Sequence, residues 1–206
     1  MNSTTLRRAL LVSALATTAL VLAACGNDGT GGMHHGDATP SATATASTAA
    51  FNNADVHFAQ MMIPHHQQAV EMATLAETRA TDPEIKQLAG AIKGAQDPEI
   101  VLMTGWLSNW GQPTMAPSGH NMPGMGTSMP GMLSDEEMTK LKAASGTNFD
   151  RLFAPGMIAH HKGAITMAKD EQAQGASAEA KALAVTIEKT QAAEVATLQK
   201  ILDRLK

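Results

Sequence analysis

Methionine and histidine are the side chains through which this sequence could do chemistry. It carries 14 Met and 8 His beside a single Cys, 4 Phe, 2 Trp and no Tyr. Two short blocks concentrate them, Met62-Ile63-Pro64-His65-His66 and Met157-Ile158-Ala159-His160-His161. On a helix, residues three and four apart share a face. Met62 therefore neighbours His65 and His66, and Met61 neighbours His65. His57 stands one turn before Met61, and Met72 two turns beyond His65. The second block arranges Met157, His160, His161 and Met167 in the same phase. Thioether and imidazole donors without thiolate suit Cu(I), and less selectively Ag(I) or Cu(II). Zinc is the second choice, because its sites more often include Cys or carboxylate. A plainer reading stands beside this one. Met at helical spacing fills irregular cores, and a buried His is commonly a hydrogen-bonded structural residue. For Met61 and Met72 core packing is an equal reading; the two His-His pairs at identical phase, each with Met three residues before, favour metal.

A second concentration lies at about 111–133, where Met115, His120, Met122, Met125, Met129 and Met132 are interspersed with Pro and Gly, as in Met-Pro-Gly-Met. Such a segment cannot bury its Met in a regular core, so His120, Met122, Met125, Met129 and Met132 join His57 and Met61 as accessory metal candidates. Other chemistries find less support. One Cys excludes a disulfide framework, a thiolate zinc site and a Cys-x-x-Cys redox pair within the chain. A di-iron centre in a helical bundle needs Glu from two helices and Glu-x-x-His from two more. Met62 and Met157 occupy the places where His65 and His160 would need Glu, and Glu99 and Glu194, each preceded by Gln three residues earlier, are too few. No Gly-x-Ser-x-Gly elbow is present, and Gly-rich 26–32 lacks the Lys and the strand–helix context of a phosphate loop. No catalytic constellation emerges, so the expectation is a binding protein and not an enzyme.

The elements that must position these residues come from an internal repeat at an offset of 95 residues. Asn53-x-Asp55 returns as Asn148-x-Asp150, and Phe58 as Phe153. Glu84, Lys86, Leu88, Ile92, Gln96, Glu99, Ile100, Met103 and Leu107 return as Glu179, Lys181, Leu183, Ile187, Gln191, Glu194, Val195, Leu198 and Leu202, without a gap. Each copy (about 53–110 and 148–205) reads as two helices. Thr81-Asp82-Pro83 supplies a start signal for the second. The link at 78–83 is short, so the two are antiparallel neighbours, and two such hairpins make an all-α four-helix bundle. Pro64, Pro98 and Pro155 fall inside the expected helices and mark candidate kinks. Ser134-x-x-Glu137 reads as a capping box opening a short extra helix, with Gly146 as its stop.

Residues 1–24 read as an export signal: Arg7 and Arg8 precede an uncharged apolar run, Ala9 to Ala24, too short for a convincing spanning helix. The run ends in Leu22-Ala23-Ala24-Cys25, which resembles a bacterial lipobox and implies cleavage before Cys25 and lipidation of its sulfur. Residues 25–50 read as a flexible tether of Gly, Thr, Ser and Ala; Met33-His34-His35 within it is better read as a solvated polar tail than as a metal trap. The formal charge of −4 argues against a nucleic-acid partner held by phosphate neutralisation.

The doubled Met-Ile-x-His-His blocks, Gln96-x-x-Glu99-Ile100 with Trp106-Leu107, and Ser134-Asp135-Glu136-Glu137-Met138 together resemble the "domain of unknown function 305" family over about 51–206. The resemblance implies a ferritin-like four-helix bundle in an exported bacterial protein, some of whose relatives are regarded as copper binders linked to copper tolerance. Carried over, its candidate ligands are Met62, His65, His66 and Met72 with Met157, His160, His161 and Met167. The family commonly has a further Met just before the first of each set. Met61 keeps it, but Pro155-Gly156 replaces that region in the second copy, which argues against a two-Met set there. The expectation is a lipid-anchored, extracytoplasmic protein that sequesters or hands on Cu(I), with a copper donor or acceptor protein as partner. A metal-free structural or interaction domain and a ferritin-like redox enzyme are the alternatives.

Overall fold

The structure, a computed structural model, describes residues 50–115 and 129–205. The signal, Cys25, most of the tether, and His120, Met122 and Met125 lie outside the described residues. Four long helices and one short one follow in order: α1 (Asn53–Arg79), α2 (Pro83–Asn109), α3 (Asp135–Ala143), α4 (Gly146–Gln174) and α5 (Ala178–Arg204). No strand occurs among the described residues. The chain is an all-α bundle of two hairpins, α1–α2 and α4–α5, with α1 lying along α4 and α2 meeting α5 more lightly.

Local chemistry sets the helix ends. Asn52 caps α1 through bonds to the Ala54 and Asp55 amides, and Asp55 reaches back to the Asn52 amide to complete a capping box. Asp82 caps α2 ahead of Pro83, which needs no amide partner in the first turn. Ser134 and Glu137 close the expected box on α3. Gly146 departs from expectation. Helix α3 ends at Ala143, Ala144 and Ser145 are extended, and Gly146, at φ 61°, opens α4. A left-handed φ is cheap only for glycine, so the residue marks the reversal between two helices. Helices α1, α2 and α4 run on through Pro64, Pro98 and Pro155.

Two buried aspartates tie the hairpins together, each reaching from one copy into the turn of the other. The Asp150 carboxylate, at the start of α4, accepts the amides of Thr81 (3.1 Å) and Asp82 (3.0 Å) in the α1–α2 turn. Asp55, at the start of α1, accepts the amides of Ala176 (3.1 Å) and Ser177 (2.9 Å) in the α4–α5 turn. These crossed contacts make α1 and α4 antiparallel. Arg204 adds a surface clamp from the end of α5 to Asp82 and Glu84 at the start of α2, each at 2.7 Å.

The apolar interior divides in two. Phe149, Phe153, Met72, Ile85, Ile92, Met138, Leu141 and Met157 belong to one cluster. Phe58, Met62, Met103, Trp106, Leu107 and Ile187 belong to the other. In helix order, the stretch between the clusters is polar: His65 and His66 on α1, Gln96 and Glu99 on α2, His160 and His161 on α4, Gln191 and Glu194 on α5. All of these are buried except the two half-buried glutamates.

Two predictions arise from the crossed aspartates. Asp150→Ala strips two turn amides of a charged acceptor, and hydrogen bonds to charged groups contribute roughly 1.5–3 kcal/mol; a loss of that size is expected as a lower urea midpoint with unchanged slope. The second concerns Glu171, which is buried beside Asp55. Burial, and then the hydrogen bond and charge of Asp55, push Glu171 up to about 8. Burial alone would raise Asp55, but hydrogen bonds from Glu171 and from the Asn52, Ser177 and Ala176 amides outweigh it and hold Asp55 below the usual carboxylate value. The pair therefore keeps one proton at neutral pH. The raised Glu171 value contributes stability that is complete below the unfolded value of 4.5 and is lost as pH rises through about 8. Relative to Glu171→Gln, the wild-type protein is expected to lose stability between pH 5 and 8, by at most about 1.4 kcal/mol per pH unit. Parallel urea-midpoint profiles for the two proteins would refute this.

Candidate metal centre

Tandem His-His on a helix sends two imidazoles into adjacent sectors of one face, and each pair here is fully buried. His65, His66, His160 and His161 all have 0 % exposure. The packing of α1 on α4 brings the two copies together. The His65 and His160 rings face each other with centroids 3.8 Å apart and planes tilted by 41°. The His160 and His161 centroids are 6.3 Å apart.

The second member of each pair turns to a carboxylate on the partner helix of its own hairpin. His66 Nε2 donates to Glu99 Oε2 at 2.7 Å. His161 Nε2 lies 2.7 Å from Glu194 Oε2 but without hydrogen-bond alignment. An ionised carboxylate only accepts, so His66 Nε2 carries the hydrogen of this bond. His65 Nε2 meets the backbone carbonyl of Pro130 at 3.0 Å. Six buried ring nitrogens have no hydrogen-bond partner: Nδ1 of His65, His66, His160 and His161, and Nε2 of His160 and His161. The side-chain amide of Gln96 and the Gln191 carbonyl are buried beside no partner either.

Electrostatics keep the facing pair uncharged. Burial drives His65 down to about 4, with the Pro130 carbonyl opposing and the neighbouring imidazoles reinforcing the shift. Burial, reinforced by His65 and His161, drives His160 lower still. Both rings are therefore neutral at pH 7, the form in which imidazole binds a metal.

The methionines occupy distinct places. Met62, Met72 and Met157 are fully buried. Met62 packs in one apolar cluster, and Met72 and Met157 in the other, so the histidines have thioethers on both sides along the bundle. Met167 is half-buried against the Met62 cluster. His57, with burial lowering its basicity, and Met61 are half-buried on α1, and Met129 and Met132 are half-buried where the inter-hairpin connection returns. Among the described residues no three His, Cys, Asp or Glu side chains gather into a ready-made cage. The donors that fit an ion here are unpartnered imidazole nitrogens with buried thioethers, a set suited to a soft, low-charge metal. Glu99 and Glu194 are the partners that sequence reasoning underused. Their recurrence at the same offset as the His pairs was the available signal.

Comparison with known proteins finds solved relatives of the same fold. A DUF305 protein of Streptomyces coelicolor, presumed secreted, shares 35% identity over 74% of this chain and 93% of its own, with a TM-score of 0.69. A DUF305 fragment from Deinococcus radiodurans shares 31% over 74% and 97%, with a TM-score of 0.63. CopM in its Cu(I)-bound form shares 32% over 73% and 96%, with a TM-score of 0.60, and it has also been crystallised with Cu(II) and with silver. The comparison with curated proteins gives no match. The family model described as "Domain of unknown function (DUF305)" matches residues 55–202, and the chain belongs to that family.

Proposed function

We propose that this chain is an extracytoplasmic copper-binding protein, anchored by lipid at Cys25, that sequesters or hands on Cu(I). Its ligands are drawn from Met62, His65, His66, Met72, Met157, His160, His161 and Met167. The observation that carries the reading is the set of six ring nitrogens without a hydrogen-bond partner in one buried layer, where the facing His65 and His160 rings are held neutral. Buried polar atoms ordinarily find partners, and an imidazole lone pair left without one inside a helical bundle is suited to a metal. Buried Met62, Met72 and Met157 bias the choice toward a soft ion. The copper- and silver-bound forms of CopM support the same class of metal. Export is supported by the apolar leader ahead of Cys25 and by the Streptomyces relative. No helix among the described residues is long and apolar enough to cross a membrane. The reading is of a binding protein, with a donor or acceptor of copper as its partner, and not of an enzyme.

A specific observation favours a second reading. The His66–Glu99 contact is a good hydrogen bond and by itself could brace the bundle. The two readings differ in what copper does to stability. A ligand that binds only the folded state adds about 2.7 kcal/mol at a hundredfold excess over its Kd, so Cu(I) is expected to raise the Tm of the purified protein. Replacing His65, His66, His160 and His161 together by Ala is expected to abolish Cu(I) uptake measured in competition with a chelator. Uptake that survives these changes would remove the histidines as ligands. A wild-type melting curve indifferent to Cu(I), with large destabilisation in the variants, would favour bracing.

A further inference from the structure

The connection between the hairpins is tied to α1 where it leaves and where it returns. Gln60 Nε2 donates to the Pro113 carbonyl at 2.8 Å on the outgoing side. On the return, the Gln68 carboxamide makes a two-bond clamp with the backbone of Leu133, donating to its carbonyl (2.9 Å) and accepting from its amide (2.8 Å). The clamped strap, Pro130–Leu133, crosses onto α4 with no space to spare. A side chain at Gly163 would run into the Pro130 carbonyl, and one at Gly131, φ 78°, would run into the Ala159 carbonyl. Clamp and gap together set the Pro130 carbonyl on His65 Nε2, at 3.0 Å.

The arrangement is one-sided in a molecule otherwise built from repeated hairpins. Gln68 and Gly163 are equivalent positions of the two copies. One carries the clamp and the other carries the gap. His160, the counterpart of His65, has no hydrogen-bond partner at either nitrogen. A peptide carbonyl can only accept. The hydrogen of a neutral His65 is therefore on Nε2, and its lone pair is on Nδ1, which is buried and free.

We propose that the Pro130–Leu133 strap orients the metal site, with Gln68 and Gly163 as positioning residues that hold the Pro130 carbonyl on His65, so that His65 offers Nδ1 to the metal. This rests on the copper reading above. A ligating His commonly donates its other N–H to a carbonyl or carboxylate, which fixes tautomer and ring orientation and raises basicity. His65 receives this from the strap and His66 from Glu99.

The test uses the full-length protein in two states. Without metal, a long-range proton–nitrogen NMR correlation spectrum reads the tautomer of His65, expected as Nε2–H in the wild type. Gln68→Ala keeps a good helix former at a half-buried site, and Gly163→Ala pushes on the strap from the opposite helix. Both are expected to lose the single Nε2–H tautomer while helicity is kept, and to weaken Cu(I) binding in chelator competition by about 10–100-fold. If Gly163→Ala fails to fold, Gln68→Ala decides alone. A His65 tautomer that survives Gln68→Ala overturns the proposal, as does full Cu(I) affinity once the tautomer is lost. Absence of Cu(I) uptake by the wild type overturns the copper reading separately, because the tautomer in the metal-free protein still decides whether the strap orients His65.

Discussion

Two neutral imidazoles, His65 and His160, face one another 3.8 Å apart between apolar clusters, and much of the molecule serves to hold them there. Burial disfavours a charge on both rings, and the neighbouring His66 and His161 reinforce this. What remains is a pair of uncharged, largely unpartnered nitrogen donors. In a purely structural core such groups are costly, so the layer that contains them has to be enforced by the surrounding packing. The crossed aspartates do much of this: Asp55 and Asp150 lock the ends of α1 and α4 into each other's hairpin turns. The register of α1 on α4 places His65 opposite His160.

The repeated hairpin explains how one helical pattern produces a shared buried polar layer. Each copy brings a His pair on its first helix and a Gln-x-x-Glu on its second, and within a hairpin the Glu reaches the second His. Symmetry stops there. Glu171 stands where the first copy has Ala76, and Gly163 where it has Gln68. The first difference places a protonated carboxyl beside one of the two locking aspartates. The second lets the connection lie across α4 and hydrogen-bond to His65 but not to His160. Equivalent histidines thereby acquire different surroundings.

The helical elements and the identity of the candidate ligands were legible in the residues because both are short-range properties. Caps at Asn52, Asp82 and Ser134, and Met and His three and four apart, depend on neighbours along one helix. Gly146 reads along the sequence as a stop and yet opens α4, because a glycine with positive φ serves equally at the end of one helix or the start of the next. The roles of Glu99 and Glu194 stayed hidden for a different reason. They are 33 residues from their histidines in sequence, and only the antiparallel packing of each hairpin sets that contact.

By itself, the sequence determined an all-α bundle of two like hairpins and a soft donor set of Met and His, since periodicity, capping and ligand chemistry are local. Only the tertiary structure decided that the four histidines lie in one buried polar layer, that His65 meets His160, and that the Met-rich connection returns to set a backbone carbonyl as acceptor against one of them. Those outcomes depend on helix register and on where a Cβ is missing. Neither can be read along a single helix, because each is set by the surface of another.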